Sequence, residues 1–382
     1  MYNVDNQAFA VQLGDSGATG GEITDFRAWL CDLPVETVRT DAMQSFAKQE
    51  TIFVELVTSD GTVGTGYSYT IGTGGAAVLS MVRETLLPQL RGLDVRNFEQ
   101  IWASCVAATR ATMTGPLTAL AIAAIDIAVW DAATKRSGTP LHAAAGGAST
   151  NVPLYDTEGG WLQLSTDELV GHALASRERG FSGVKIKVGK GRAQDDFERL
   201  KAVREAVGPG VDLMIDANQC FTVAEAVRRA ALFEPLGIYW FEEPLPADDV
   251  SGHALLARST SIPIAVGESI YSLGQFREYL QVGAASILQV DAARIGGITP
   301  WLKVAHLAEA FNVAVAPHFL MELHVSLACA IPNSLYVEFI PQLRAITTSD
   351  FQVSLGRASA PTSPGIGIDW DMAAIDALAR DS

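Results

Sequence analysis

Apolar positions along the chain change their period twice. Up to about residue 70 they follow a strand-like pattern. The runs at 51–57 (TIFVELV) and 62–67 (TVGTGY) flank a Ser-Asp-Gly turn. From about 75 to 135 the spacing is helical, over 76–90, 97–108 and 117–134. Strands followed by helices predict an α+β domain, and Gly146, Gly147 and Pro153 punctuate its end. From about 152 the rhythm becomes regular. Short strand-like runs fall at 152–156, 184–188, 211–216, 238–243, 263–268, 287–291, 313–318 and 335–340. Helical stretches such as 166–180, 193–207, 223–236 and 300–311 separate most of them. Eight buried strands alternating with helices predict a parallel barrel, with a doubly wound open sheet as the alternative. No long amphipathic helix follows the eighth run, so the form is (β/α)7β. The tail beyond about 350 holds turns and a short last helix and is expected to return to the first domain. The expected division is an α+β domain over 1–145, a barrel over 146–345, and a tail over 346–382.

A length of 382 residues suits two domains, or one large barrel with attachments. With 48% hydrophobic and 18% charged residues, the chain can build a sizeable core and is not disordered. Its net charge of −16 argues against nucleic acid or an anionic membrane as partner. Cys31, Cys105, Cys220 and Cys329 form no CxxC pair and are expected to be reduced thiols of a cytosolic protein. The start, MYNVDNQAFA, lacks the basic-then-apolar pattern of a signal peptide. The most apolar stretch, 117–133, contains Asp126 and Asp131, so it reads as a buried helix of a soluble protein. The glycine-rich stretch 71–75 lacks the strand–helix context of a dinucleotide site and reads as a flexible loop.

Charge is costly to bury, so a charged residue closing an apolar run needs a reason. The second barrel run carries Lys185 and Lys187, which a strand places on one face. The third ends in Asp216, the fourth in Glu242 and Glu243, and the fifth in Glu268. The sixth ends in Asp291, the seventh in His318, and the eighth carries Glu338. In a parallel barrel these ends meet at one mouth, where sites of this fold lie. Asp216, Glu242 and Glu268 follow one another at 26 and 26 residues, placing them on consecutive strands. Three carboxylates so close need a counter-charge, and oxygen ligation favours Mg²⁺ or Mn²⁺ over zinc. One such acid alone would read as a helix cap or an arginine partner. Glu243 points to the other face and is expected to be structural.

A lysine takes a proton only when neutral, and Lys185 and a nearby cation would both lower the pKa of Lys187. Among the histidines only His318 ends a barrel strand. His142, His172, His253 and His306 fall in helices or loops, and His324 on the helix after the seventh strand. Asp291 on the neighbouring strand would orient the His318 ring.

These positions, in this order, resemble the enolase superfamily and specifically its mandelate racemase subgroup. The matching segments are VKIKV at 184–188, IDAN at 215–218, WFEEP at 240–244, and VGE at 266–268. VD at 290–291 with IGGIT at 295–299, APH at 316–318 and VE at 337–338 complete the set. The stretch 120–131 (LAIAAIDIAVWD) is similar to a helix of the family's amino-terminal capping domain. The muconate-lactonizing subgroup has a lysine as second base on the sixth strand. Here that strand carries Asp291 and Arg294, and the seventh ends in a histidine. The resemblance implies a modified TIM barrel with an α+β cap that the tail completes. It implies that Asp216, Glu242 and Glu268 bind Mg²⁺, with Mn²⁺ possible. Lys187 and the His318–Asp291 dyad would be acid/base groups on opposite faces of the substrate. Lys185 and Glu338 would contact the substrate carboxylate, and Asn218 would line the same pocket.

Removing a proton α to a carboxylate yields an enediolate, whose charge needs cations and hydrogen-bond donors already in place. If His318 then protonates the opposite face, the product is the epimer. If it protonates a departing β-hydroxyl, the product is a 2-keto acid. The loop 33–45, with Glu36, Arg39, Asp41 and Gln44, and the loop 156–161 are polar. That favours an acid sugar over an aromatic acid, with Arg39 contacting a distal group. The expected function is Mg²⁺-dependent acid-sugar dehydration, with a racemase or epimerase of a 2-hydroxy acid as the alternative. A barrel that only binds a metal or ligand has no need of two opposed bases. A cytoplasmic homo-oligomer acting on a small-molecule carboxylate is the expected context.

Overall fold

The computed structural model describes residues 20–35, 39–46, 48–113, 115–348 and 351–380. Glu36 of the capping loop and the amino-terminal decapeptide lie outside them. The two β-rich runs become antiparallel strands Gln49–Thr58 and Val63–Thr70, and Ile23–Leu33 pairs with the first of them. Ile23–Leu33 escaped the periodicity because four of its buried residues, Ala28 to Cys31, run consecutively instead of alternating.

Helix Pro116–Arg136 packs on this sheet and also meets helices Ala292–Ile295 and Ile298–Ala310 of the barrel. It is long and apolar enough to cross a membrane but is buried nearly all round, which explains why it has no polar face. The sheet makes room for it with glycine. A Cβ on Gly66 would stand 2.1 Å from the carbonyl oxygen of Ala124, and one on Gly64 would stand 2.3 Å from that of Ala128.

The barrel strands are Asn151–Asp156, Gly183–Lys187, Asp212–Asp216, Ile238–Glu242, Ile264–Val266, Ile287–Leu288, Ala314–Val315 and Val337–Phe339. Each of the first six pairs in parallel with the next, and the eighth pairs with the first. Hydrogen bonds from Val315 N to Asn333 O and from Leu335 N to Val315 O, each 2.9 Å, close the gap between seventh and eighth. The sheet is therefore a closed barrel and not a doubly wound open sheet. Tyr155, Met214, Trp240, Ala265, Ile287 and Ala316 belong to the apolar cluster among its strands.

The fifth to seventh strands are shorter than the apolar runs that announced them. Glu268, Asp291 and His318 stand just past the strand ends, in turns over the mouth. The tail also departs from its expected course. Before reaching the cap, it forms a hairpin whose second strand, Arg357–Ser359, pairs with Asn151 to Pro153 at the end of the barrel away from the mouth. Only then does it meet the cap. Ile366 N donates to Asp131 Oδ1 at 2.9 Å, and Trp370 sets its edge on Phe53. Arg380 N donates to Leu30 O.

Cap and barrel are tied through buried groups. Asp126 Oδ2, on the cap helix, accepts from Thr299 N in the first turn of Ile298–Ala310, an N-cap supplied by another domain. Gly297, at φ 116°, lets it in, because a Cβ there would stand 2.3 Å from the carboxylate. Burial pushes Asp126 up to about 7 from an ordinary 3.8, against the pull of its hydrogen bonds.

Two measurements probe these contacts. Gly66→Ala should cost about 2–3 kcal/mol by overpacking, read as a lower urea midpoint at unchanged slope. A carboxyl held above its unfolded pKa contributes stability below about 4 that is lost as pH rises through about 7. Asp126→Asn should therefore gain stability relative to the parent across that window, in melts from pH 4 to 8.

Candidate active site

The second strand buries both lysines. Lys185 Nζ lies 2.7 Å from Glu242 Oε1, 2.9 Å from Glu338 Oε1 and 3.6 Å from Asp216 Oδ2. Burial lowers its pKa, but Glu242 and Glu338 outweigh burial and hold it well above the ordinary lysine value, so it is a fixed cation. Lys187 Nζ pairs with Asp216 Oδ2. Burial likewise lowers Lys187, yet the Asp216 carboxylate leaves it raised. The expected lowering counted a bound cation as well as Lys185, and the Asp216 carboxylate that raises Lys187 here is one that such a cation would claim. Asp216, which burial would raise, is brought down to about 2 by Lys187 and Lys185.

The donor atoms of Asp216, Glu242 and Glu268 lie within 4.8 Å of one another, all buried. Glu242 is held well above the ordinary carboxylate range by burial and by Asp216. Two lysines do not balance this many acids, so the donor set fits a hard divalent cation. Glu242 is oriented from behind, its Oε2 accepting from Gln289 Nε2 at 2.6 Å and Trp240 Nε1 at 3.1 Å. On the other side of the mouth, His318 Nδ1 lies 2.9 Å from Asp291 Oδ2, and Nε2 lies 3.2 Å from Glu268 Oε2. Asp291 Oδ1 accepts from Ala293 N and Arg294 N, so the carboxylate caps the helix that follows it. Burial would raise Asp291, but His318 keeps it below the usual range. Glu338, likewise depressed despite burial by Lys185 and His318, accepts from Thr157 Oγ1 and Phe319 N.

A cavity of about 120 Å³ opens at this mouth, lined by Lys187, Asn218, Glu268, His318 and Glu338. Asn218, at φ 42°, lines it, and its Oδ1 is buried with no hydrogen-bond partner among the described residues. The capping loop covers the cavity with Asp41 and Gln44. A larger cavity, about 430 Å³, lies between the tail and the eighth strand, but no comparable set of charges converges there.

Most sequence-predicted residues thus meet in one place. Lys185, expected against the substrate, is not among the cavity-lining residues and sits between Glu242 and Glu338. Arg39, expected at a distal group, lines a neighbouring cavity instead. It is held by Glu158 at 2.6 Å and Gln342 at 3.2 Å, which latches the capping loop to the loops after the first and eighth strands. Glu243 is buried, with Oε2 accepting from Ser269 Oγ, which itself lines the cavity. Gln289 and Tyr69 escaped the sequence reading. Gln289, a polar residue inside the run Ile287 to Asp291, carried a signal that could have found it.

Such a cap, barrel and charge set define an enolase-type fold. Residues 29–146 match the mandelate racemase / muconate lactonizing enzyme N-terminal domain, and residues 168–374 the enolase C-terminal domain-like family. The chain belongs to the mandelate racemase / muconate lactonizing enzyme family of the enolase superfamily. It is 34% identical to L-talarate/galactarate dehydratase of Salmonella typhimurium, over 94% of this chain and 92% of that one. It is 36% identical to 3,6-anhydro-alpha-L-galactonate cycloisomerase of Streptomyces coelicolor, over 92% and 98%. The structure of L-talarate dehydratase from Polaromonas sp. JS666, complexed with Mg and L-glucarate, superposes with a TM-score of 0.89 at 38% identity, covering 94% and 98%.

Outer hydrogen bonds to a ligating carboxylate tune its hold on a metal. Gln289→Leu, which leaves Glu242 Oε2 to Trp240 alone, should weaken Mg²⁺ binding about tenfold in calorimetric titration.

Proposed function

We propose that the protein is a Mg²⁺-dependent acid-sugar dehydratase. The observation that carries this is the meeting at one barrel mouth of Lys187, the His318–Asp291 dyad and three clustered carboxylates, with Lys187, His318 and Glu268 lining the cavity. Relatives named for talarate and galactarate dehydration support it. The polar groups that the capping loop and neighbouring turns add to the cavity (Asp41, Gln44, Gln219 and Ser269) suit a polyhydroxylated substrate. In this reading residues 1–145 form the cap, 146–345 the catalytic barrel and 346–382 the returning segment. The four cysteines are unpaired, in keeping with the reducing setting of a cytoplasmic protein.

Asp216, Glu242 and Glu268 hold Mg²⁺, which when bound neutralises their charge and polarises the substrate carboxylate. Asn218 and Glu338 position the substrate. Lys185, a cation fixed beside them, stabilises negative charge as it develops on the substrate and disfavours a second charge on Lys187. Lys187, released from its pairing with Asp216 and having given its ammonium proton to solvent, takes the α-proton as the neutral amine. His318, held by Asp291, gives its Nε2 proton to the departing β-hydroxyl, which leaves as water. The enol that remains tautomerises to a 2-keto-3-deoxy acid. Return of the His318 proton to the α-carbon instead would give an epimer.

The test incubates the protein and Mg²⁺ with galactarate, L-talarate, L-glucarate and a panel of aldonic acids, trapping keto acids with semicarbazide. Lys187→Ala and His318→Asn should each lower keto-acid formation about a thousandfold. Solvent deuterium entering the α-position with no keto acid would sink dehydration and establish racemisation.

A further inference from the structure

Strand Val63–Thr70 of the cap sends one side chain into the barrel's acid/base machinery. Tyr69 is 2% exposed, and its hydroxyl donates to Asp291 Oδ2 at 2.7 Å. That is the oxygen facing His318 Nδ1. Both oxygens of Asp291 are therefore engaged, Oδ1 by two backbone N–H groups and Oδ2 by Tyr69 and His318. The direction of the tyrosine bond is set from outside. Arg294 Nε donates to the Tyr69 hydroxyl at 3.3 Å, and a guanidinium can only donate. The hydroxyl accepts from Arg294 and so turns its hydrogen to Asp291. The same ring packs on Phe319 at 4.6 Å, and Phe319 stacks on His318 at 5.4 Å.

We propose that Tyr69 is a positioning residue for the His318 proton transfer, fixing Asp291 so that His318 faces the β-hydroxyl of the substrate. The capping sheet thereby contributes to the chemistry and not only to the lid. This rests on the dehydratase reading above. Tyr69 touches no reacting atom and acts on the elimination step alone, leaving α-proton removal by Lys187 unaffected.

The experiment uses the full-length Mg²⁺-loaded enzyme in D2O with the acid sugar turned over fastest in the panel. It follows keto acid and α-deuterium exchange in the same tube. Tyr69→Phe should lower kcat for keto acid about tenfold at little-changed KM, while α-exchange persists, so the ratio of exchange to elimination rises about tenfold. The ratio is independent of how much protein is folded, so a poorly folded variant cannot imitate the effect. Tyr67→Phe, which removes a buried hydroxyl with no hydrogen-bond partner among the described residues, serves as control and should leave the ratio unchanged. Adding Tyr69→Phe to Asp291→Asn should change the ratio no further, because the tyrosine acts through that carboxylate. An unchanged ratio in Tyr69→Phe, or an undiminished effect in the Asp291→Asn background, would overturn the proposal. If the parent enzyme exchanges the α-proton but forms no keto acid from any acid sugar, the dehydratase reading fails instead.

Discussion

Lys185 is a cation with 1% exposure, and the mouth of the barrel is arranged around it. Bare charge in such a place is prohibitive, so the ammonium persists only because Glu242 and Glu338 flank it within 2.9 Å. Removing one member of such a pair typically costs about 3–5 kcal/mol, since its partner is left uncompensated. The two acids are in turn fixed by Trp240, Gln289, Thr157 and Phe319 N. Each charge at the site thus has its place dictated by the next. Reactivity and folding stability draw on the same pairs, and the acids that outnumber the lysines leave room for one more cation.

The cap takes part in this arrangement at several depths. At the surface, Arg39 joins the covering loop to Glu158 and Gln342. Below it, Tyr69 reaches Asp291. Deeper still, Asp126 terminates the barrel helix Ile298–Ala310, and Trp130 Nε1 bonds Thr299 Oγ1 in the same turn. These contacts bring the cap to the strands that carry Asp291 and His318. Lys187, Asp216 and Glu242, by contrast, are held by partners within the barrel.

Much of this was legible in the chain because barrel strands are short, apolar and repeated, so a charge at the end of one stands out. Asp216, Glu242, Glu268, Asp291 and His318 were visible for that reason, as was the closed barrel. What stayed hidden depends on distance in sequence. Tyr69 and Asp291 are 222 residues apart, and a tyrosine in a strand is ordinary until its partner is known. The pairing of Lys187 with Asp216 crosses between strands, so the carboxylate that raises the lysine could not be set against the neighbour that lowers it. Arg39 was read as a contact for a distal group of the substrate, whereas Glu158 and Gln342, from two other loops, claim it. The tail's hairpin, Val353–Ser354 with Arg357–Ser359, is too short and exposed to mark the barrel strand it joins.

The last residues carry one more implication. Arg380 bonds Leu30 O through its backbone, reaches Asp32 and Glu50 with its side chain, and so borders a sheet laid down near the start of the chain. Asp131 likewise holds Thr65 N with one oxygen and Ile366 N with the other. On the ribosome, where synthesis runs from the amino terminus, the cap's sheet is therefore begun before the barrel and bordered only after it. The barrel strands all emerge while that border of the sheet still lacks its neighbour, so Ile23–Leu33 waits through synthesis of the whole barrel for its contact with Arg380.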